Sequence, residues 1–232
     1  MQSAAVLEFP APGALTIDQV QGGALFADGL PSIPVLPETF LAIELLVQNH
    51  WVDLNEIAQL VLSDMGATLQ VFRLMAEESG DRCQRIEDCI SSLGPRACLE
   101  AIEQGFQQGG LLDRSMSAVW RHAREIAEHA RLVAEAGDSP MTPDEAYLAG
   151  LLHPLGILPS LLAWDEPDLA LDQALVGLRL SARWALPESV RNLFCSAFIP
   201  GQDPYRLQLI RDAHRLSGSS SPWCTVASGF TA

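Results

Sequence analysis

The sequence predicts an all-α protein built from two packed groups of helices, and three observations carry that prediction. Apolar residues recur at helical spacing through most of the chain. Asp, Thr, Pro and Gly punctuate these stretches in the order that helix starts and stops require. Alternating apolar and polar runs, the mark of half-buried strands, are nearly absent. With 48% hydrophobic and 19% charged residues among 232, the chain can bury a substantial core without disulfides, which excludes disorder as its general state.

Taken in order, Pro37 suits the first turn of a helix through Phe40, Leu41, Leu45 and Leu46. Asp53, with Glu56 three residues on, opens a second through Ile57, Leu60 and Val61. Asp64 caps a third holding Leu69, Phe72 and Met75, which fades at Ser79 and Gly80. A fourth through Ile86, Ile90 and Leu93 stops at Gly94, and Pro95 begins a fifth through Leu99, Ile102 and Phe106. After Gly109-Gly110, Asp113 or Ser115 opens the longest periodic segment, through Val119, Ile126, Ala130 and Val133 to Gly137. Thr142-Pro143-Asp144-Glu145 combines an N-cap, a first-turn Pro and a reciprocal Glu. It starts the helix that delivers His153. Further helices are predicted over residues 169–184, 187–198 and 204–216, about eleven in all. The resulting organisation is an irregular extension (1–29), an N-terminal helical group (30–108), a second group (111–216) and a flexible tail (217–232).

Charge narrows the function. The net charge is −15, and all 14 cations are Arg because no Lys occurs. That removes a Walker-type phosphate loop and Schiff-base or pyridoxal chemistry, which depend on a Lys amine. Residues 1–72 hold eight acids and no base, so they carry −8 and the remainder −7. Such a surface repels phosphate backbones and anionic lipid, so neither nucleic acid nor a membrane surface is an expected partner. The N-terminus lacks a basic, then apolar, secretory pattern, and a cytoplasmic location is expected. Residues 146–164 are uncharged and long enough to span a bilayer, but Pro154 and Pro159 break them. Two short buried helices meeting at a turn are predicted instead. The five cysteines, Cys83, Cys89, Cys98, Cys195 and Cys224, form no Cys-x-x-Cys pair and read as reduced, mostly buried thiols.

Three histidines bear on chemistry. His122 and His129 are seven residues apart on the long helix, with Glu125 and Glu128 between them, a set of imidazoles and carboxylates that can hold a cation. Arg121, Arg124 and Arg131 share that helix, however, so a solvated mixed-charge face with helical ion pairs explains the whole group and is the stronger reading. His153 lies at the end of an apolar helix, where a backbone-satisfied core residue is the usual reading.

The run Trp120-Arg121-His122, followed by Ala149-Gly150-Leu151-Leu152-His153-Pro154-Leu155-Gly156, resembles the central pattern of the HD superfamily, and more closely its HDOD branch, the HD-related output domain of bacterial signalling proteins. The resemblance spans about residues 30–200. It includes Leu30-Pro31-Ser32-Ile33-Pro34-Val35-Leu36-Pro37, the paired helices over residues 57–75 with Asp64 at their turn, residues 86–93 with Gly94, and Trp184-Ala185-Leu186-Pro187. It implies an HD-like helical core in the C-terminal group. Hydrolytic HD enzymes are similar in holding one or two metals with a first His, a His-Asp pair and a later Asp. Matched residue by residue, the first His is His122 and the paired His is His153, but Pro154 stands in place of the Asp. Ile157 stands where a Lys often follows, and residues 175–179 and 195–198 lack the later histidines of many members.

Two imidazoles without a carboxylate leave a divalent ion underliganded for phosphoryl chemistry. The resemblance therefore implies a non-catalytic signalling module acting through protein contacts, with no catalytic residue, no cofactor and no metal. His122, His153 and Pro154 mark vestigial positions, and Glu125 and His129 are the weaker candidates. The expected partners are other signalling proteins, and the acidic N-terminal group suggests a basic docking surface on them. Two alternatives stay open: a divergent metal-dependent phosphohydrolase or phosphodiesterase using His122, Glu125, His129 and His153, and a nucleotide sensor using Arg121 or Arg124.

Overall fold

The computed structural model describes residues 33–48, 53–80, 82–109, 114–137, 139–164, 173–198 and 204–218. Five helices form the first group: α1 (Pro37–Val47), α2 (Leu54–Leu62), α3 (Met65–Ser79), α4 (Ile86–Leu93) and α5 (Pro95–Gly109). The second holds α6 (Arg114–Ala136), α7 (Pro143–Leu152), a 3₁₀ turn (His153–Ile157), α8 (Leu158–Leu161), α9 (Gln173–Arg183), α10 (Glu188–Phe198) and α11 (Pro204–Ser217). Among the described residues there is no strand.

Local chemistry sets most boundaries. Asp53 caps α2 through the Asn55 N–H, which donates to its carboxylate at 2.8 Å. Thr142 and Glu145 form the reciprocal capping box that starts α7. Gly80 and Gly94 close α3 and α4 with φ of 70° and 83°, values that favour a residue without a Cβ. The apolar stretch through Pro154 and Pro159 divides as α7, the 3₁₀ turn and α8, each proline standing near the start of its element where a missing N–H is tolerated. No helix among the described residues is long and apolar enough to cross a membrane. The extension 1–29, Leu30 to Ser32, Trp51, the 169–172 start predicted for α9, and the tail beyond 218 with Trp223 and Cys224 lie outside the described residues.

A single cluster of buried side chains runs through both groups, from Ile33, Ile43, Phe72 and Ile102 to Trp120, Leu152, Trp184 and Phe194. Phe40 stacks on Phe106 with ring centroids 4.8 Å apart, which seats α1 on α5. The Tyr147 hydroxyl on α7 donates to the Leu62 carbonyl at the end of α2 (3.0 Å). Asp64, 1% exposed, makes a buried polar junction between the two groups. Its carboxylate accepts from the Gly66 and Ala67 N–H groups of α3, from the Leu36 N–H, and from Trp120 Nε1 on α6. Burial pushes the Asp64 carboxyl above the usual range, while these four donors pull it back. A smaller cluster of Ile126, Ala130, Ala146, Ala149, Leu193, Leu209, Ile210 and Ala213 packs α6 and α7 against α10 and α11.

Candidate functional site

Helices α6 and α7 approach closely because small residues line their contact. A Cβ on Gly150 would sit 2.7 Å from Ala127 Cα, so only glycine fits there without moving a helix. This approach brings His122 on α6 to His153, the residue that ends α7 and enters the 3₁₀ turn. Helix α11 supplies a third imidazole, His214. The ring centroids are 5.4 Å apart for His122 and His153, 5.0 Å for His122 and His214, and 5.1 Å for His153 and His214. One ligand nitrogen from each lies within 4.8 Å of the others. His122 is 6% exposed and His153 4%, and His214 is half-buried.

His153 is held by its own turn. Its Nδ1 lies 2.6 Å from the Gly150 carbonyl oxygen, which can only accept, so Nδ1 carries the proton and Nε2 keeps the lone pair. Burial lowers the pKa of all three. For His122 the nearby Glu125 opposes the shift. His153 falls well below its usual range, with His214 and then His122 adding to burial while the Gly150 bond opposes it. His214 is lowered to about 4 by burial and then by His122.

These directions fix an expected pH response of the metal-free protein. At pH 7 the rings are neutral in both states. Below the ordinary histidine value of 6.5 the unfolded chain takes up protons that the folded chain refuses, so stability falls as pH drops toward about 4. Urea midpoints measured with a chelator between pH 7.5 and 5 should fall for the wild type and fall less for His214→Ala. Equal slopes would show that these rings do not set the response.

The sequence-predicted residues divide cleanly. His122 and His153 are brought together, and Pro154 stands buried beside them with no ligand atom to offer. Glu125 and His129 are not part of the group. Seven helical residues advance about 10 Å, so His129 shares a side of α6 with His122 but not a depth, and its Nδ1 lies 2.8 Å from the Glu125 carbonyl. The solvated-face expectation holds for Arg121 and Arg124, which are exposed, and for Arg131, which pairs with Glu128 at 2.6 Å; it fails for His122, which is buried. His214 was missed, and it changes the count from two imidazoles to three. Its signal was its place after Leu207 and Ile210 on the apolar side of α11.

Arg124 instead borders a cleft of about 690 Å³ between α2 and α4 on one side and α6 and α7 on the other. Its charged lining is Arg85, Arg124 and Arg131 against Glu87, Glu128, Asp144 and Glu145. Arg85 lies 3.5 Å from Glu87 and 3.7 Å from Asp144, so much of the positive charge is already answered.

Comparison with known proteins agrees with the helical arrangement. The HDOD domain model matches residues 33–170. An uncharacterized protein of Treponema pallidum (strain Nichols) is 28% identical over 197 residues, which make up 73% of this chain and 38% of that protein. The chain thus spans well under half the length of this curated relative. A crystal structure of a fragment of the MmoQ response regulator from Methylococcus capsulatus (strain Bath) superposes with a TM-score of 0.61 at 21% identity, covering 88% of this chain and 93% of the other. A second MmoQ crystal structure gives 0.62 at 22% identity, with coverage of 85% and 92%. These likenesses concern the fold.

Proposed function

Because the chain belongs to the HDOD family of HD-related output domains, we propose that it is a regulatory module that works through protein contacts and does not hydrolyse phosphoesters. The observation that carries this reading is Pro154. It follows His153 where the hydrolytic pattern needs a carboxylate, and the group of His122, His153 and His214 contains none. Three neutral imidazoles offer no charge to balance a pair of divalent ions and no carboxylate base for an attacking water.

The partner surface we assign is the acidic first group. Glu38, Asp53 and Glu56 are exposed there, whereas Asp64 is consumed inside the fold and takes no part. A basic partner would be steered to this face, and salt would screen the attraction within a Debye length of about 10 Å at 0.1 M. The nucleotide-sensing alternative is weaker, since the cleft beside Arg124 carries more carboxylates than guanidinium groups.

Two measurements test the reading together. Co-purification from the native cell should recover a protein partner that is released as salt is raised and is retained less by Glu38→Gln/Asp53→Asn/Glu56→Gln. Assays with phosphomonoesters and cyclic dinucleotides in Mn²⁺ or Mg²⁺ should give no turnover. Turnover that vanishes in both His122→Ala and His153→Ala would overturn the proposal in favour of the hydrolase.

A further inference from the structure

We propose that the cavity between α3 and the end of α9 binds one small oxyanion, a phosphoryl or carboxylate group, through the guanidinium groups of Arg73 and Arg183 and the indole N–H of Trp184. The cavity measures about 200 Å³, lined by Arg73, Ala76 and Glu77 on α3 and by Arg183 and Trp184 across from them. It shares no residue with the imidazole group or with the cleft beside Arg124. The proposal goes beyond the regulatory reading and is independent of the acidic docking face, so either can fail alone.

Three observations support it. The first is a buried donor. Trp184 is 1% exposed, and its Nε1 has no hydrogen-bond partner among the described residues. Trp164 meets the ring edge to face, with centroids 6.3 Å apart, a contact that supplies no oxygen acceptor. Buried indole N–H groups ordinarily have such an acceptor, because burial takes away the bond they made to water. Second, the cavity gathers Arg73 and Arg183 against Glu77, a net charge of +1 on a chain of net −15. Glu77 supports the charge on Arg73, which burial opposes. Arg183 is exposed and forms no ion pair among the described residues. Third, the backbone fixes the wall that carries Trp184. The turn after α9 closes with the Leu186 N–H donating to the Ser181 carbonyl at 2.9 Å and the Ala185 N–H to the Ala182 carbonyl at 3.2 Å, with Ala185 at φ 48°. An alanine holds that left-handed conformation only where its surroundings impose it.

An oxyanion matches this donor set. Guanidinium groups fork onto carboxylate and phosphoryl oxygens, and the indole adds a neutral donor. A cation would meet two like charges, and an apolar group would leave the indole N–H dry. The volume suits one small group, since it falls below the roughly 300–1,000 Å³ of sites for drug-sized ligands. Net −15 opposes attraction at long range, so binding depends on contact rather than steering. An anion held here would tie α3 of the first group to α9 of the second.

The test uses the whole chain in chloride buffer at fixed ionic strength, titrated separately with inorganic phosphate, sulfate and acetate. The readout is the ¹H–¹⁵N spectrum of the five tryptophan indoles, with the Trp184 signal assigned through its own backbone amide. That signal should move along a saturable curve fitted by one anion per chain, and Tm should rise with it. Arg183→Gln, at an exposed position, should weaken binding at least about tenfold, the worth of one charge-assisted hydrogen bond. Ala76→Leu keeps every donor but fills the cavity from α3, and it should weaken binding as much. Tighter binding of phosphate and sulfate than of acetate assigns a phosphoryl ligand, and the reverse order a carboxylate. No saturable movement of the Trp184 signal with any of the three anions, or equal affinity in the wild type and both variants, would overturn the site and leave the regulatory reading intact.

Discussion

Replacing Asp64 by Ala is expected to unfold the protein or bring it close to unfolding. The carboxylate accepts four hydrogen bonds while 1% exposed: from Gly66 and Ala67 at 2.7 and 3.2 Å, from Leu36 at 2.7 Å, and from Trp120 Nε1 at 3.0 Å. Truncation strands all four donors in a dry interior. Each buried unsatisfied group costs about 1–3 kcal/mol, so even partial relaxation leaves a loss of roughly 4 kcal/mol or more. That is a large share of the 5–15 kcal/mol that typical domains possess. Asp64→Asn distinguishes the geometry from mere polarity. An amide oxygen can still serve one side of the carboxylate, but its NH₂ would face a donor on the other, so an intermediate loss of about 2 kcal/mol is expected. Chemical denaturation of the two variants checks this, and Asp64→Ala with a wild-type midpoint would refute the junction. Because Trp120 neighbours His122, the same substitution also loosens α6 at the site.

What the sequence disclosed and what it withheld follow from the range of the interactions. The caps at Asp53, Asp64 and Thr142, the stop at Gly94 and the restart at Pro95 were legible because every partner lies within one helical turn. Half of what Asp64 does was not legible. Its bonds to Leu36 and Trp120 span 28 and 56 residues, and no local pattern announces them. The reading of His122 as part of a solvated face went wrong for a related reason. Arg121 and Arg124 dominated its neighbourhood in sequence, but the helical stripe through Val119, Ala123 and Ile126, all fully buried, takes His122 inward with it. His153 was correctly placed at the end of an apolar helix, satisfied by the Gly150 carbonyl. His214 could be suspected from its apolar helix face, yet only the packing of α11 on α6 brings it to the other two rings.

Gly150→Ala is the second large effect, and its sign is decided by competition. In an exposed helix the change would stabilise by about 1 kcal/mol through helix propensity. Here the added methyl would lie 2.7 Å from Ala127 Cα and 3.0 Å from both Ala127 N and the Ile126 carbonyl oxygen, all backbone atoms that no rotamer change can move aside. Helices α6 and α7 must separate, and overpacking of this kind costs about 1–3 kcal/mol, sometimes more; with the propensity gain set against the upper end, a net loss of about 2 kcal/mol is expected. Ala127→Gly should fail to rescue it, because the obstacle is the Cα and N of residue 127 rather than its methyl group. Rescue would mean that the helices sit further apart than described. Gly137→Ala supplies the control. Its Cβ would meet only the Val133 carbonyl at 3.6 Å, an ordinary contact, so its urea midpoint should stay near that of the wild type. The functional consequence is specific to the site. Separating α6 from α7 draws His122 away from His153 and disturbs the Gly150 carbonyl that fixes the His153 tautomer, so the imidazole NMR signals of these two residues should shift in Gly150→Ala even in the fraction that folds, whereas Gly137→Ala should leave them in place.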